Sequence, residues 1–241
     1  MNILKNAFLF SISFLSILCA QAQTADEIIS KWISAMGGRE KLASIHTVYA
    51  ETEVSIMNNP AAGRTYAMNG KGFKSETDFN GQKIIDCYTV NGGWSANPLA
   101  GQPTAVAMPA SQIKLGQLQL DLSGLLFDYA AKGSKVELLG KEVLKGSPAY
   151  KIKLTTASAS EIIIYIQDSS FHILENVVKL NADGKDIEIT TWFSDYRKTA
   201  DGYIVPFSSE LDLPGLSIAI TTKKVEVNKE MDPAIFEMPK N

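Results

Sequence analysis

The chain has 241 residues, a net charge of −3, two histidines, two cysteines and 45% hydrophobic residues. That is enough apolar material for one sizeable core, and the mild acidity with scattered lysines gives no basic stripe, which argues against a nucleic-acid partner. His46 and His172 belong to no His-x-x-x-His or Cys-x-x-Cys spacing, so no metal site is expected and each reads as a strand-end residue.

Met1 to Ala22 has the three parts of a secretory leader: Lys5 near the start, an apolar run from Ala7 to Leu18, and Ala20-Gln21-Ala22 as a small-residue cleavage site. The apolar run falls short of the ~18 residues that span a bilayer. Cleavage after Ala22 makes Gln23 the first mature residue and leaves 23–241 as a single domain. Cys19 raises the alternative of a lipid-anchored N-terminus, against which stands Leu18 where lipid attachment favours a small residue. The mature chain keeps only Cys87, so it forms no internal disulfide. Within Ile84-Ile85-Asp86-Cys87-Tyr88 that cysteine reads as a small buried hydrophobe.

Thr24 followed by Glu27 is a capping box. Behind it Ile28, Ile29, Trp32, Ile33 and Met36 recur at helical spacing until Gly37-Gly38 stops the helix, and a short helical piece, Arg39 to Ile45, follows. From His46 the period changes to two. Val48, Ala50, Val54 and Ile56 alternate with Glu51, Glu53 and Ser55, the pattern of a strand with one wet side. Further strands are predicted over 64–73, 74–79, 82–90, 135–143, 149–155, 161–167, 172–180, 186–197, 204–211 and 216–227. Asn80-Gly81, Asp183-Gly184 and Asp201-Gly202 favour tight hairpins, so neighbouring strands run antiparallel in a meander. Ile162 to Ile166 is apolar on both faces, which places it mid-sheet with cover on each side. Leu216, Ile218 and Ile220 are even but Val225 and Val227 odd, which predicts a bulge near Thr222.

Residues 91–109 are rich in Gly, Pro and Ala and read as irregular. A helical segment is predicted over 110–130, where Leu115, Leu118, Leu122, Leu125, Leu126 and Tyr129 repeat at three- and four-residue steps. Gly116 and Gly124 each weaken it by about 1 kcal/mol relative to alanine, which predicts a broken or movable helix. The fold class is therefore α+β, mainly antiparallel β.

No Gly-x-Ser-x-Gly turn, phosphate-cradling glycine loop or calcium-loop spacing is present, so no catalytic residue, metal or cofactor is assigned. An enzyme could still assemble dispersed acids in three dimensions, with Asp86, Glu188 and Asp195 the candidates. A long curved sheet, however, has more concave apolar area than one or two helices fill, and an apolar ligand would complete such a core.

The order of parts resembles the periplasmic lipoprotein-carrier superfamily, the LolA/LolB-like fold. The resemblance is carried by Asp26-Glu27-Ile28-Ile29-Ser30-Lys31-Trp32-Ile33 ending in Met36-Gly37-Gly38, by the long strand after it, and by Phe193 to Lys198 leading into Asp201-Gly202-Tyr203-Ile204-Val205-Pro206-Phe207. Val225 to Asn228 followed by Asp232 to Pro239 is similar to that group's closing strand and terminal helix. The resemblance implies a curved half-open β-barrel with an N-terminal helix and a lid-like central helical segment on its concave side. It also implies a soluble, periplasmic, monomeric carrier of lipoprotein acyl chains or other lipids, with inner- and outer-membrane donor and acceptor proteins as partners. The family's lid-latching arginine is not carried over to Arg64, which no local motif marks.

Ligand-contacting candidates on that reading are Val48, Val54 and Ile56 from the first long strand, Ile162, Ile164 and Ile189 from later strands, and Leu118, Leu122 and Leu125 from the lid, with Trp32 and Trp94 near the rim. Each is equally a candidate for ordinary core. An envelope sensor that binds a protein through its sheet edge or its 91–109 stretch is the alternative, and a lipid- or glycan-processing enzyme a third reading.

Overall fold

The computed structural model describes residues 23–182 and 185–240, with side chains described outside 180–186. The expected leader, the Cys19 alternative and the Asp183-Gly184 turn lie outside the described residues.

Helix α1 (Ala25–Ala35) begins as its capping box dictates: Thr24 Oγ1 accepts the Glu27 N–H at 3.2 Å, and the Glu27 carboxylate accepts the Thr24 N–H at 3.2 Å. Its Ile28, Ile29, Trp32 and Ile33 are buried. Gly37 and Gly38 turn the chain at φ +102° and +95°, and the Gly38 N–H closes the helix on the Ile33 carbonyl at 2.9 Å. Helix α2 (Arg39–Ala43) follows and buries Leu42.

Thirteen strands come next: β1 (Thr47–Ile56), β2 (Asn59–Met68), β3 (Gly72–Phe79), β4 (Gln82–Thr89), β5 (Gly92–Asn97), β6 (Gln102–Ala107), β7 (Lys135–Leu144), β8 (Ser147–Thr155), β9 (Glu161–Gln167), β10 (Ile173–Ala182), β11 (Lys185–Lys198), β12 (Ile204–Leu213) and β13 (Leu216–Val227). They form one antiparallel sheet in the order β6-β5-β4-β3-β2-β1-β13-β12-β11-β10-β9-β8-β7. Two meanders are thus joined by the long-range pair β1 and β13, and the sheet stays open because β6 and β7 are both edges.

The predicted bulge is present. Glu51 pairs with Lys224 and Thr52 with Thr222, which leaves Lys223 as the extra residue. Another register shift, between Ile173 and Glu175, bends β10. Strand β9 sits between β8 and β10, with Ile162, Ile164 and Ile166 in the main core. On its other face Tyr165, together with Ala149 and Val177, is covered by neighbouring side chains such as Leu144 and Leu174.

Three predicted boundaries are corrected. The strand expected over 64–73 is cut by a turn in which Gly70 adopts φ +65°, so β2 ends at Met68 and β3 starts at Gly72. Residues 91–109 are not irregular throughout: β5 and β6 form a hairpin around a 3₁₀ turn, Pro98–Ala100. Pro103 is tolerated there because β6 is an edge strand, with no partner on its outer side for the missing N–H. The expected 110–130 helix is α-helical only over α3 (Ala110–Gly116), then one 3₁₀ turn (Gln117–Leu120), then turns. Close approach explains the break: a Cβ on Gly116 would lie 2.1 Å from the Tyr88 ring, and Gly124 holds φ +90° beside Trp32.

The two faces are covered differently. On the concave side, α1 and α2 pack with Ile152, Leu154, Ile166 and Val227. On the convex side of β2–β6, the C-terminal strap lays Met231, Ile235 and Phe236 over Tyr66, Cys87 and Trp94. The Trp94 indole N–H donates to the Phe236 carbonyl at 3.0 Å. Burial pushes the Cys87 thiol up to about 12, which keeps it protonated and unreactive.

Gly72 lies directly under Phe236, where an added Cβ would fall 2.4 Å from the ring. Gly72→Ala should therefore lift the strap and cost about 1–3 kcal/mol in urea unfolding. In a Phe236→Ala background the same change should cost far less, a coupling that a double-mutant cycle measures directly.

Candidate binding cavity

The helices do not fill the concave side. Between the sheet and the segment after α3 lies a cavity of about 550 Å³. Its floor is Ile162 and Ile164 of β9, Asn176 and Val178 of β10, Ile189 of β11 and Leu211 of β12, and its roof carries Leu118 and Leu125. Tyr88 of β4 closes the far wall. Seven strands separate β4 from β9 in the sheet order. In a flat sheet those strands would stand about 38 Å apart at about 4.8 Å per step, so only strong curvature lets Tyr88 and Ile162 face one space.

A second chamber, of about 320 Å³, adjoins the first and shares Tyr88, Gln119, Leu211 and Ile220 with it. Val54 and Ile56 line it, but so do Thr65, Ser75, Thr77 and Asp86. Burial alone raises the Asp86 carboxyl above its ordinary range, and Asp86 enters no ion pair among the described residues. Tyr88, beside it, is pushed up to about 12 by burial first and by Asp86 second. The Asn176 Oδ1 is buried with no hydrogen-bond partner.

The roof is tied down at its margins by polar contacts. Gln117 donates to the Thr89 carbonyl at 2.9 Å, the Leu122 N–H to Asn69 at 3.0 Å, and Lys114 to the Ser158 carbonyl at 3.1 Å. A larger depression of about 630 Å³ lies on the outer side of α1. It is spanned by bonds that hold the roof to the helices: the Tyr129 hydroxyl donates to Asp26 at 2.6 Å, and Arg39 pairs with Asp128.

No family model and no curated protein matches the sequence. Solved structures do match the fold. A LolA superfamily protein from Nitrosomonas europaea superposes at TM-score 0.57 with 13% identity, covering 90% of this chain and 98% of that one. The chain has the LolA-like fold. A DUF1329 family protein from Desulfovibrio piger gives TM-score 0.58 at 14% identity over 90% and 98% of the two chains. A domain described as an outer membrane lipoprotein-sorting protein domain, from Vibrio parahaemolyticus, gives 0.54 at 13% over 87% and 94%.

Within this LolA-like frame the candidate residues separate. Leu118, Leu125, Ile162, Ile164 and Ile189 line the larger chamber, and Val54 and Ile56 the smaller. Leu122 and Val48 pack instead against the helical core, and Trp32 is buried in α1 with its indole N–H unpartnered. Trp94 lies on the convex face beneath the strap, because it pairs with Cys87, whose side chain points away from those of Asp86 and Tyr88. Tyr88, Asn176 and Leu211 were absent from the sequence-derived set. The alternation Ile84-x-Asp86-x-Tyr88 carried the signal for the first of them.

The dispersed acids do not converge. Asp86 faces the smaller chamber, whereas Glu188 is exposed 3.6 Å from Lys179 and Asp195 is exposed in a 2.6 Å pair with Arg197. Arg64 is exposed on β2, in register with Glu51 and Glu76.

Because folding raises the Asp86 pKa, the folded chain holds that proton more tightly than the unfolded chain. Stability from this group is full below the unfolded pKa and is lost as pH rises through the folded one. Asp86→Asn should thus raise the melting temperature at about pH 7, with the gain shrinking towards about pH 4. Thermal melts across that range check it.

Proposed function

We propose that this chain is a non-enzymatic carrier that shelters an acyl chain between its curved sheet and its broken lid. The observation that carries the reading is the partly enclosed, largely apolar cavity of about 550 Å³, whose walls come from β4 at one side and β9 to β12 at the other. Its size lies within the range of small-ligand sites. Each methylene moved from water into such a space gains about 0.8 kcal/mol, so about ten of them gain about 8 kcal/mol before the cost of ordering the chain.

The lid suits loading and release. Its attachments to the strands are a few hydrogen bonds near strand ends, from Gln117 to Thr89 and Val90, from Leu122 to Asn69, from Lys114 to Ser158 and from Gly70 to Leu120, each with a net worth of about 1 kcal/mol. Opening it would expose Leu118 and Leu125 together with the floor. The cargo on this reading is a lipoprotein or another lipid, and the setting is the periplasm after removal of residues 1–22, with membrane-bound donor and acceptor proteins at either end of the journey. No helix among the described residues is long and apolar enough to cross a membrane.

Native mass spectrometry of gently purified mature protein, followed by organic extraction, tests the reading. An acylated species should co-purify. Leu118→Asp and Ile189→Asp, both at half-buried positions in the wall, should each weaken its retention at least about tenfold, since a buried unpaired charge replaces apolar wall. Val143→Asp, at a 69% exposed site on β7, should retain it. A clean apo mass with no uptake on lipid challenge would sink the carrier and favour partner binding instead.

A further inference from the structure

We propose that the groove is directional: it seats one amphiphile with its chain in the larger chamber and an ammonium head group against Asp86, which selects that head over an anionic one. The inference rests on the carrier reading and adds the chemistry of the head. The two chambers differ in kind. The β9–β11 end presents Ile162, Ile164, Val178 and Ile189, whereas the β2–β4 end presents Thr65, Ser75, Thr77 and Asp86, with Arg64 and Glu76 also bordering it from positions whose register places their side chains on the other face. Tyr88 and Gln119 border both, so the two spaces adjoin and one extended amphiphile could reach from one to the other.

Asp86 is the unusual element. On the facing strand, Glu76 is neutralised by Lys74 at 2.8 Å, and Asp78 accepts the Gly81 N–H at 2.7 Å at the hairpin turn. The pair of Lys74 and Glu76 uses the opposite face: Lys74 is in register with Cys87, and Glu76 with Ile85, the residues flanking Asp86. Asp86 itself belongs to none of the ion pairs among the described residues, and burial is the single influence on its titration, with no cation offsetting it. A carboxylate withdrawn from water without a counter-ion is costly. A ligand ammonium would supply the missing charge through a charge-assisted hydrogen bond, and the neighbouring hydroxyls could accept its remaining protons. A carboxylate or phosphate head at the same place would instead meet a like charge in a partly desolvated wall.

The test uses the mature chain loaded with N-phenylnaphthylamine, a neutral dye that brightens in apolar surroundings. Dodecylammonium, dodecanol and dodecanoate compete for it below their micelle thresholds. Dodecylammonium should displace the dye at about tenfold lower concentration than dodecanol, the size of one charge-assisted contact, and dodecanoate should be weakest. Asp86→Asn should collapse the preference of ammonium over alcohol to about one, and Asp86→Glu should restore it. Dodecanoate competing as well as dodecylammonium, or an undiminished preference in Asp86→Asn, would overturn the head-group assignment while leaving the carrier intact. Failure of all three amphiphiles to displace the dye would bring down the carrier reading and this one with it.

Discussion

Pairing of β1 with β13 joins the first and last strands into one sheet, and the concave space exists because of that pairing. Val48 meets Val227 and Val54 meets Ile220 across it. Without this seam the six N-terminal strands and the seven C-terminal strands would be two separate meanders, each with an additional exposed edge. The seam also bends. Lys223 adds a residue on one strand only, and such a bulge increases local twist and curvature. A side-chain network anchors its end: Asn228 accepts the His46 N–H at 2.7 Å and donates to the Ser44 carbonyl at 2.7 Å and the Tyr203 hydroxyl at 2.8 Å. One amide thus fixes the exit of α2, the entry of β1, the end of β13 and the loop before β12.

Curvature alone would leave a trough open to water. Helix α1 fills one end with Ile28, Trp32 and Ile33 against β8, β9 and β13, and this contact makes a stable core without consuming the whole concavity. On the outer face, the strap seals the N-terminal half through Phe236. The sheet is therefore stabilised from the convex side behind the strands that line the smaller chamber. That division allows β2–β5 to line a partly polar chamber and still bury an apolar face.

Local features were the most legible in the sequence. The capping box, the spacing of Ile28 to Ile33 and the Gly37-Gly38 stop lie within a few residues of one another, so α1 could be read outright. The bulge was equally readable, since a phase change within one strand has few other solutions. The turn at 69–71 was hidden by parity. Thr65 and Ala67 before it and Phe73 and Ser75 after it are all odd-numbered residues on the concave face, so the alternation runs through the turn unbroken. Residues 92–107 were hidden for another reason: their small side chains suit an edge hairpin under a strap whose residues lie more than a hundred positions away. The same distance concealed the face on which Trp94 lies. Asp86, named only as one of three scattered acids, acquires meaning from the parity of its strand and from the absence of a cation beside it, a property of the fold and not of the motif.

The leucines of the lid show how tertiary packing overrules a local pattern and why the result leaves room for a ligand. Their three- and four-residue spacing is real, and a continuous helix over 110–130 would be about 31 Å long at about 1.5 Å per residue. Its apolar stripe would form a continuous ridge able to pack into the groove of the sheet. Gly116 instead comes so close to the Tyr88 ring that no side chain fits, and Gly124 turns beside Trp32 at positive φ. The chain is pinned at those two points and forms no regular ridge between them. Leu118 and Leu125 hang from it into the cavity, which the nearly fully buried Leu126 also borders, while Leu120 is buried against protein. The glycines therefore do more than weaken a helix: they set the roof low at its ends and irregular in its middle, and the space beneath it stays unfilled by the chain itself.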